Sequence, residues 1–196
     1  MRTTSNQKYE ITEISHEKYP FLHRIRALRD VSAEVRAGDL GGFVESESNL
    51  SSEPDDTAWI FDDAIACNAA YVDKGAVLRG EVVVCDNAYI SMGAVLSGHA
   101  RVEDNAYVRG AVLNASARAS GFSMILNDKD TMGVPILSGH CAVYGKVSGD
   151  VRLTGSALVI SGKNRSVIRD SSRDELASQQ PAPSPPKKQK GCEMSR

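Results

Sequence analysis

Cysteine is scarce in these 196 residues, and the four present, Cys67, Cys85, Cys141 and Cys192, include no CxxC pair. That spacing argues against a disulfide framework and against a structural zinc site. No run of apolar residues is long enough to cross a bilayer, and the opening MRTTSNQKYEITE is polar where a signal peptide would be apolar. The chain is therefore expected in the cytoplasm, with no membrane partner. Neither charge dominates, since 23 Lys and Arg face 25 Asp and Glu for a net charge of -2. Nucleic acid is accordingly not an expected partner. There is also no Gly-rich phosphate loop and no defensible Ser, His, Asp arrangement.

What the chain does have is a repeat. Consecutive six-residue units run without a gap from Thr57 to Gly110, each with a small residue second and an aliphatic one fourth. The small positions are Ala58, Ala64, Ala70, Ala76, Val82, Ala88, Ala94, Ala100 and Ala106. Two residues after each aliphatic position comes Asp62, Asn68, Lys74, Gly80, Asp86, Met92, Gly98, Asp104 or Gly110, most of them types that tolerate positive φ. A period of six with turn residues between short strands is the pattern of an all-β, single-stranded parallel β-helix built from hexapeptides, usually left-handed, with three hexads per coil. AYVDKGAVLRG from Ala70, AYISMGAVLSG from Ala88 and AYVRGAVLNA from Ala106 are near copies, the third one residue shorter, so the frame slips at Gly110. Stacked copies put Val72, Ile90 and Val108 in one inner column and Leu78, Leu96 and Leu113 in another. Cys67 and Cys85 fall on adjacent coils and read as two free thiols of a reducing compartment.

Three parts follow from this frame. Residues 1–52 read as an N-terminal cap and entry, in which KYEITEI alternates like a strand and Gly41-Gly42 suggests a tight bend. A cap is needed because a terminal coil exposes unpaired backbone and apolar surface. Residues 53–162 form the β-helix, with an extruded loop at 120–138 where SGFSMILNDKDTMGVPILS breaks the hexads. Residues 163–196, rich in Pro, Ser, Gln and Lys, read as a flexible tail.

The stretch RIRALRDVSAEVRAGDLGGFVESESNLS, followed by TAWIFDDAIACNAAYV, resembles the YdcK-like hexapeptide-repeat proteins of bacteria and their phages. The closest match runs from Arg24 to Ser51, and the repeats extend it to about residue 162. The resemblance implies a left-handed β-helix of the LpxA-like superfamily. It brings no agreed catalytic residue, because such proteins are described at most as transferases of unknown substrate.

The residue between the small and aliphatic positions points outward, giving three columns. Trp59, Val77, Val95 and Val112 form an apolar stripe expected to mediate self-association into a homo-oligomer. Tyr71, Tyr89 and Tyr107 form a ladder that either packs across coils or stacks on a planar ligand or partner. Ile65, Val83, Arg101 and Arg118 form the third column, whose arginines suit phosphate or another small anion.

Hexapeptide acyltransferases use a histidine base beside an extruded loop, with coenzyme A between subunits. The candidates here are His140, at the end of the loop, and His99; both occupy a permissive turn slot. Metal-dependent hexapeptide enzymes of the carbonic anhydrase type need three clustered histidines, and His16, His23, His99 and His140 are too scattered, so no metal site is expected. The leading expectation is a non-catalytic binding or assembly module that requires no cofactor. The alternatives are an acyltransferase using acetyl-CoA with His140 as base, and a phage-encoded protein that sequesters a small anionic metabolite through Arg101 and Arg118.

Overall fold

In the computed structural model, which describes residues 6–162 and 165–169, all nine turn-slot residues of the hexads adopt left-handed backbone. Their φ values run from 49° at Lys74 to 73° at Gly80. Proximity also favours glycine at Gly80 and Gly98, since a Cβ there would stand 3.0 Å from the carbonyl oxygen of Gly98 and Ala115 respectively. The aspartates do a second job. Asp62 Oδ2 accepts the Gly80 N–H at 2.8 Å, and Asp104 Oδ2 accepts that of Gly121 at 2.8 Å. Each carboxylate satisfies a backbone donor of the next coil that the strand ladders do not reach.

Between the turns, strands of two or three residues stack into parallel sheets of a β-solenoid. Six strands, from Trp59–Ile60 to Arg152–Leu153, make the valine face, and five, from Tyr71–Val72 to Lys146–Ser148, make the tyrosine face. The third, arginine face continues into Tyr9–Ser15 on one side and Arg165–Arg169 on the other and has ten strands among the described residues. Registers follow the superperiod: Val77, Val95 and Val112 align, as do Tyr71, Tyr89 and Tyr107, and the one-residue slip at Gly110 is absorbed without loss of register. The inner columns Val72, Ile90, Val108 and Leu78, Leu96, Leu113 are fully buried. Each such side chain contributes roughly 1.5–3 kcal/mol.

The cap is antiparallel. Strands β1 (Tyr9–Ser15), β2 (His23–Ala27) and β3 (Leu40–Val44) pair in sequence, and β3 then pairs in parallel with Ile65–Ala66. Gly41 and Gly42 therefore make no bend. They lie inside β3, where the cap crosses the first coil so closely that a Cβ would come within 2.6 Å of Ile60 O and 2.4 Å of Ala64 O. Asn49 ties the cap to the coils, with Oδ1 accepting from the Glu45 and Ser46 N–H groups and Nδ2 donating to Asn68 O and Ala70 O. Lys8 is wholly buried beside this junction and donates from Nζ to Ser51 O at 3.0 Å. Burial pushes its pKa down to about 8, against the opposing pull of Asp56.

Two boundaries differ from the sequence expectation. The excursion from the coil is shorter than 120–138: Met124–Leu126 pairs with Tyr107–Arg109, Ile125 points inward, and Ser123 fills the small slot. Serine is nearly as compact as alanine, so the hexad survives and only residues 127–135 leave the solenoid before Ile136–Leu137 rejoins it. At the other end, Arg165–Arg169 forms a strand antiparallel to Leu158–Gly162, where the flexible tail was expected to have begun. The rest of the expected tail, 163–164 and 170–196, lies outside the described residues. Among the described residues no helix is long and apolar enough to cross a membrane.

Candidate functional site

The three outward columns fare differently. On the valine face, Val77, Val95 and Val112 line up as expected and continue into Ile136, with Val95 the most exposed at 36%. Trp59 does not join them at the surface. It is 1% exposed, because Tyr9 of the cap packs its ring edge-to-face on the indole at 6.4 Å and 81°. Tyr9 is fixed in turn by its hydroxyl, which donates to Leu50 O at 2.8 Å. The lone tryptophan is a cap anchor and leaves the proposed interface to the valines.

The tyrosine ladder forms. Tyr71 and Tyr89 stack at 5.9 Å and 19°, Tyr89 and Tyr107 at 5.1 Å and 11°, and the Tyr89 hydroxyl donates to Asp73 Oδ2 at 2.9 Å. This is the cross-coil packing that aromatic columns of a sheet favour.

The arginine face carries the larger hollow. β1 stays paired with β2 to its last residue, Ser15 against His23, and the turn that follows borders a groove of about 530 Å³. Phe43, Ile65 and Val83 supply its apolar floor, and Arg101 stands next in the same column. The Arg101 side chain has no hydrogen-bond or ion-pair partner among the described residues, whereas Arg118 pairs from Nε with Glu103 at 3.2 Å and does not line the groove. The two arginines expected to act together are neighbours in register, but Arg118 is engaged by Glu103 and only the Arg101 side chain is left unpaired.

The turn after β1 is built around His16. Its Nδ1 accepts the Lys18 and Tyr19 N–H groups at 3.1 and 3.3 Å, which places the ring proton on Nε2. The imidazole stacks on Tyr19 at 5.2 Å and meets Phe43 edge-on at 4.8 Å. Arg24 lies over the Phe43 ring, 4.3 Å from its centroid, and binds Asp63 at 2.6 Å as well as the carbonyls of Gly41 and Asp62. Glu81 and His99 sit at the groove's rim, with Nδ1 3.4 Å from Oε2. The outward column makes Arg101 legible in the sequence. Nothing in the hexad pattern signals His16, Lys18, Tyr19 or Arg24, because they reach the site only through the fold-back of the cap.

His140 is exposed at the corner between the valine and arginine faces, and its N–H donates to Gly155 O at 2.7 Å. The excursion 127–135 enters Ile136–Leu137 at its N-terminal end, whereas His140 follows its C-terminal end. The tip of the excursion is folded on itself: Asp128 accepts from the Asp130 N–H and the Thr131 hydroxyl, which hold its carboxyl below the usual carboxylate range. Cys67 and Cys85 are free thiols, and burial pushes them up to about 11 and about 12. Neither is a nucleophile at neutral pH. Among the described residues no group of three or more His, Cys, Asp or Glu could hold a metal ion.

A second, smaller hollow of about 420 Å³ opens where the chain enters the first coil, between residues 51–57 and 71–75. Both hollows therefore lie along the seam between cap and repeats. Compared with known proteins, the chain matches no protein-family model and no curated protein, so the likeness to YdcK-like proteins rests on the cap string and the hexads alone.

Proposed function

We propose that this protein is a β-helical binding module whose ligand site is the groove beneath the cap turn. The observation that supports this reading is the unpaired Arg101 at the end of an apolar floor in a 530 Å³ hollow. An apolar floor with a few convergent polar groups is the usual build of a small-molecule site, and of the charged residues lining this one, Glu17, Lys18, Arg24, Asp63, Glu81 and Arg101, it is Arg101 that extends the apolar column. The ligand class that fits is an anion with an apolar body, the head on Arg101 and the body along Val83 and Ile65. The rest of the solenoid acts as a rigid support, with the Val77, Val95 and Val112 stripe as the surface for a second copy.

Titration with 8-anilinonaphthalene-1-sulfonate, followed by amide NMR, tests the site. Shifts confined to residues 14–19, 43, 65, 83 and 99–101, with binding about tenfold weaker in Arg101→Gln, are expected. Shifts elsewhere, or affinity unchanged in that variant, would remove the groove from consideration.

A coenzyme A dependent acyltransferase is the second reading, and the favouring observation moves its base from His140 to His99. The Glu81 carboxylate stands 3.4 Å from Nδ1 of that ring, an arrangement in which Nε2 would accept a proton from an acceptor hydroxyl or amine. Acetyl transfer from acetyl-CoA that disappears in His99→Ala while the fold persists would replace the binding reading with this one.

A further inference from the structure

The tyrosine ladder stops at Tyr71, and the way it stops leaves room for a ring. On the preceding coil Leu50 bridges Val72 in parallel, which puts Asn49 in register with Tyr71. Asn49 cannot extend the ladder. It is fully buried, and its amide is held inward by Asn68 O and Ala70 O, each at 2.9 Å. The 420 Å³ hollow begins at this point, with Tyr71 as one wall and Ser51, Glu53, Asp55, Asp56 and Asp73 around it.

Charge in this hollow is one-sided. Four carboxylates line it against a single cation, Lys74. Asp56 has a structural role, since it accepts the Lys74 and Gly75 N–H groups at 2.7 and 2.8 Å. Glu53 and Asp55 have no side-chain partner among the described residues. Asp73 is the informative one. It is 7% exposed, its Oδ2 accepts the Tyr89 hydroxyl, and its Oδ1 is buried without any hydrogen-bond partner. Lys74 is a loose ion-pair partner of the other oxygen, its Nζ 4.0 Å from Oδ2 and beyond hydrogen-bond reach, on a side chain that is 59% exposed. The buried Lys8, the other cation of this region, donates to Ser51 O. A buried carboxylate oxygen left without a donor is costly, and a donor that arrives with a ligand removes that cost.

We infer that this hollow is a binding site for a planar organic cation, whose ring stacks on Tyr71 as the next member of the ladder and whose N–H donors reach Asp73. The Tyr71 ring offers its negative face to the cation, and Glu53 and Asp55 supply the surrounding field. The Lys74 side chain swings outward to admit the ligand, which takes its place beside Asp73. This site is separate from the groove under the cap turn and shares no lining residue with it.

Benzamidine is the probe, with the isosteric neutral benzamide as control, and calorimetry with amide NMR gives affinity and place. The expected result is benzamidine binding that shifts amides at 51–57 and 71–75, with benzamide at least about tenfold weaker. Asp73→Asn should weaken benzamidine about tenfold, and Tyr71→Ser should remove it, with circular dichroism showing the solenoid intact. Should Asp73→Asn fail to fold, Asp55→Asn at the open rim provides a second charge variant, expected to weaken binding a few-fold. Equal binding of benzamide, shifts away from the hollow, or full affinity in the folded variants would overturn the proposal.

Discussion

Coils and cap solve the same problem by opposite means. In the coils every residue repeats a local rule: a small side chain for the corner, an aliphatic one for the interior, a left-handed residue for the turn, and an aspartate to reach the next coil's backbone. In the cap nothing repeats. Its antiparallel strands are held by single long-range contacts such as Tyr9 on Trp59, Arg24 on Phe43 and Asn49 on Asn68 and Ala70. The coils on their own offer flat faces, and both hollows form where the cap breaks that flatness. Regularity builds the support, and the irregular seam builds the sites.

The sharpest way to break this comparison is to damage each region and watch both. Trp59 reports the seam by fluorescence, whereas the far-ultraviolet circular dichroism reports mainly the coils. Leu96→Ala in the middle of the solenoid should cost about 3 kcal/mol, and urea midpoints by both probes should fall together, because each coil depends on its neighbours. Gly42→Ala should cost about 2 kcal/mol by overpacking against Ala64 O. Here the tryptophan transition should move to lower urea ahead of the dichroism. Coincident midpoints in Gly42→Ala would mean that cap and coils are one cooperative unit.

A smaller effect sharpens the same contrast by pH. The Lys8 amine is neutral above about pH 8 in the folded protein, whereas the unfolded chain keeps that proton to near the ordinary lysine value of 10.5. Between these values the unfolded state binds more protons, so this group's contribution to stability rises with pH. Compared with Lys8→Met, the wild type should gain stability from pH 8 to pH 10, measured as the difference in urea midpoints between the two. The comparison also subtracts Cys67, Cys85 and Tyr9, whose raised pKa values act in the opposite direction at the alkaline end. A difference that stays flat would show that the amine is not held in a dry site.

These contrasts also explain what could be read in advance. The coil frame was legible down to the slip at Gly110, because turn slots, inner columns and outward columns are each fixed by neighbours six or eighteen residues away. The outward tyrosines and Arg101 were legible for the same reason. Trp59 was misread as exposed because its slot is outward by the repeat, and only the cap, which obeys no repeat, covers it. The same blindness hid Gly41-Gly42, which look like a turn in the sequence and act as a close crossing of two strands. Ser123 fills a small slot inside the stretch 120–138, whose irregular sequence reads as an extruded loop, because serine is compact enough to keep the hexad. His16 and Asp73 had no readable signal, since their roles depend on a turn and on an orphaned oxygen that exist only once the chain has closed on itself.

The most direct test of the claim that the seam carries the sites is one amide NMR experiment on the full chain, titrated separately with 8-anilinonaphthalene-1-sulfonate and with benzamidine. The account predicts two distinct footprints, the anion at 14–19, 43, 65, 83 and 99–101 and the cation at 51–57 and 71–75, with the coils beyond residue 105 unmoved. Shifts distributed along the flat faces of those later coils, or a single footprint shared by both probes, would contradict it.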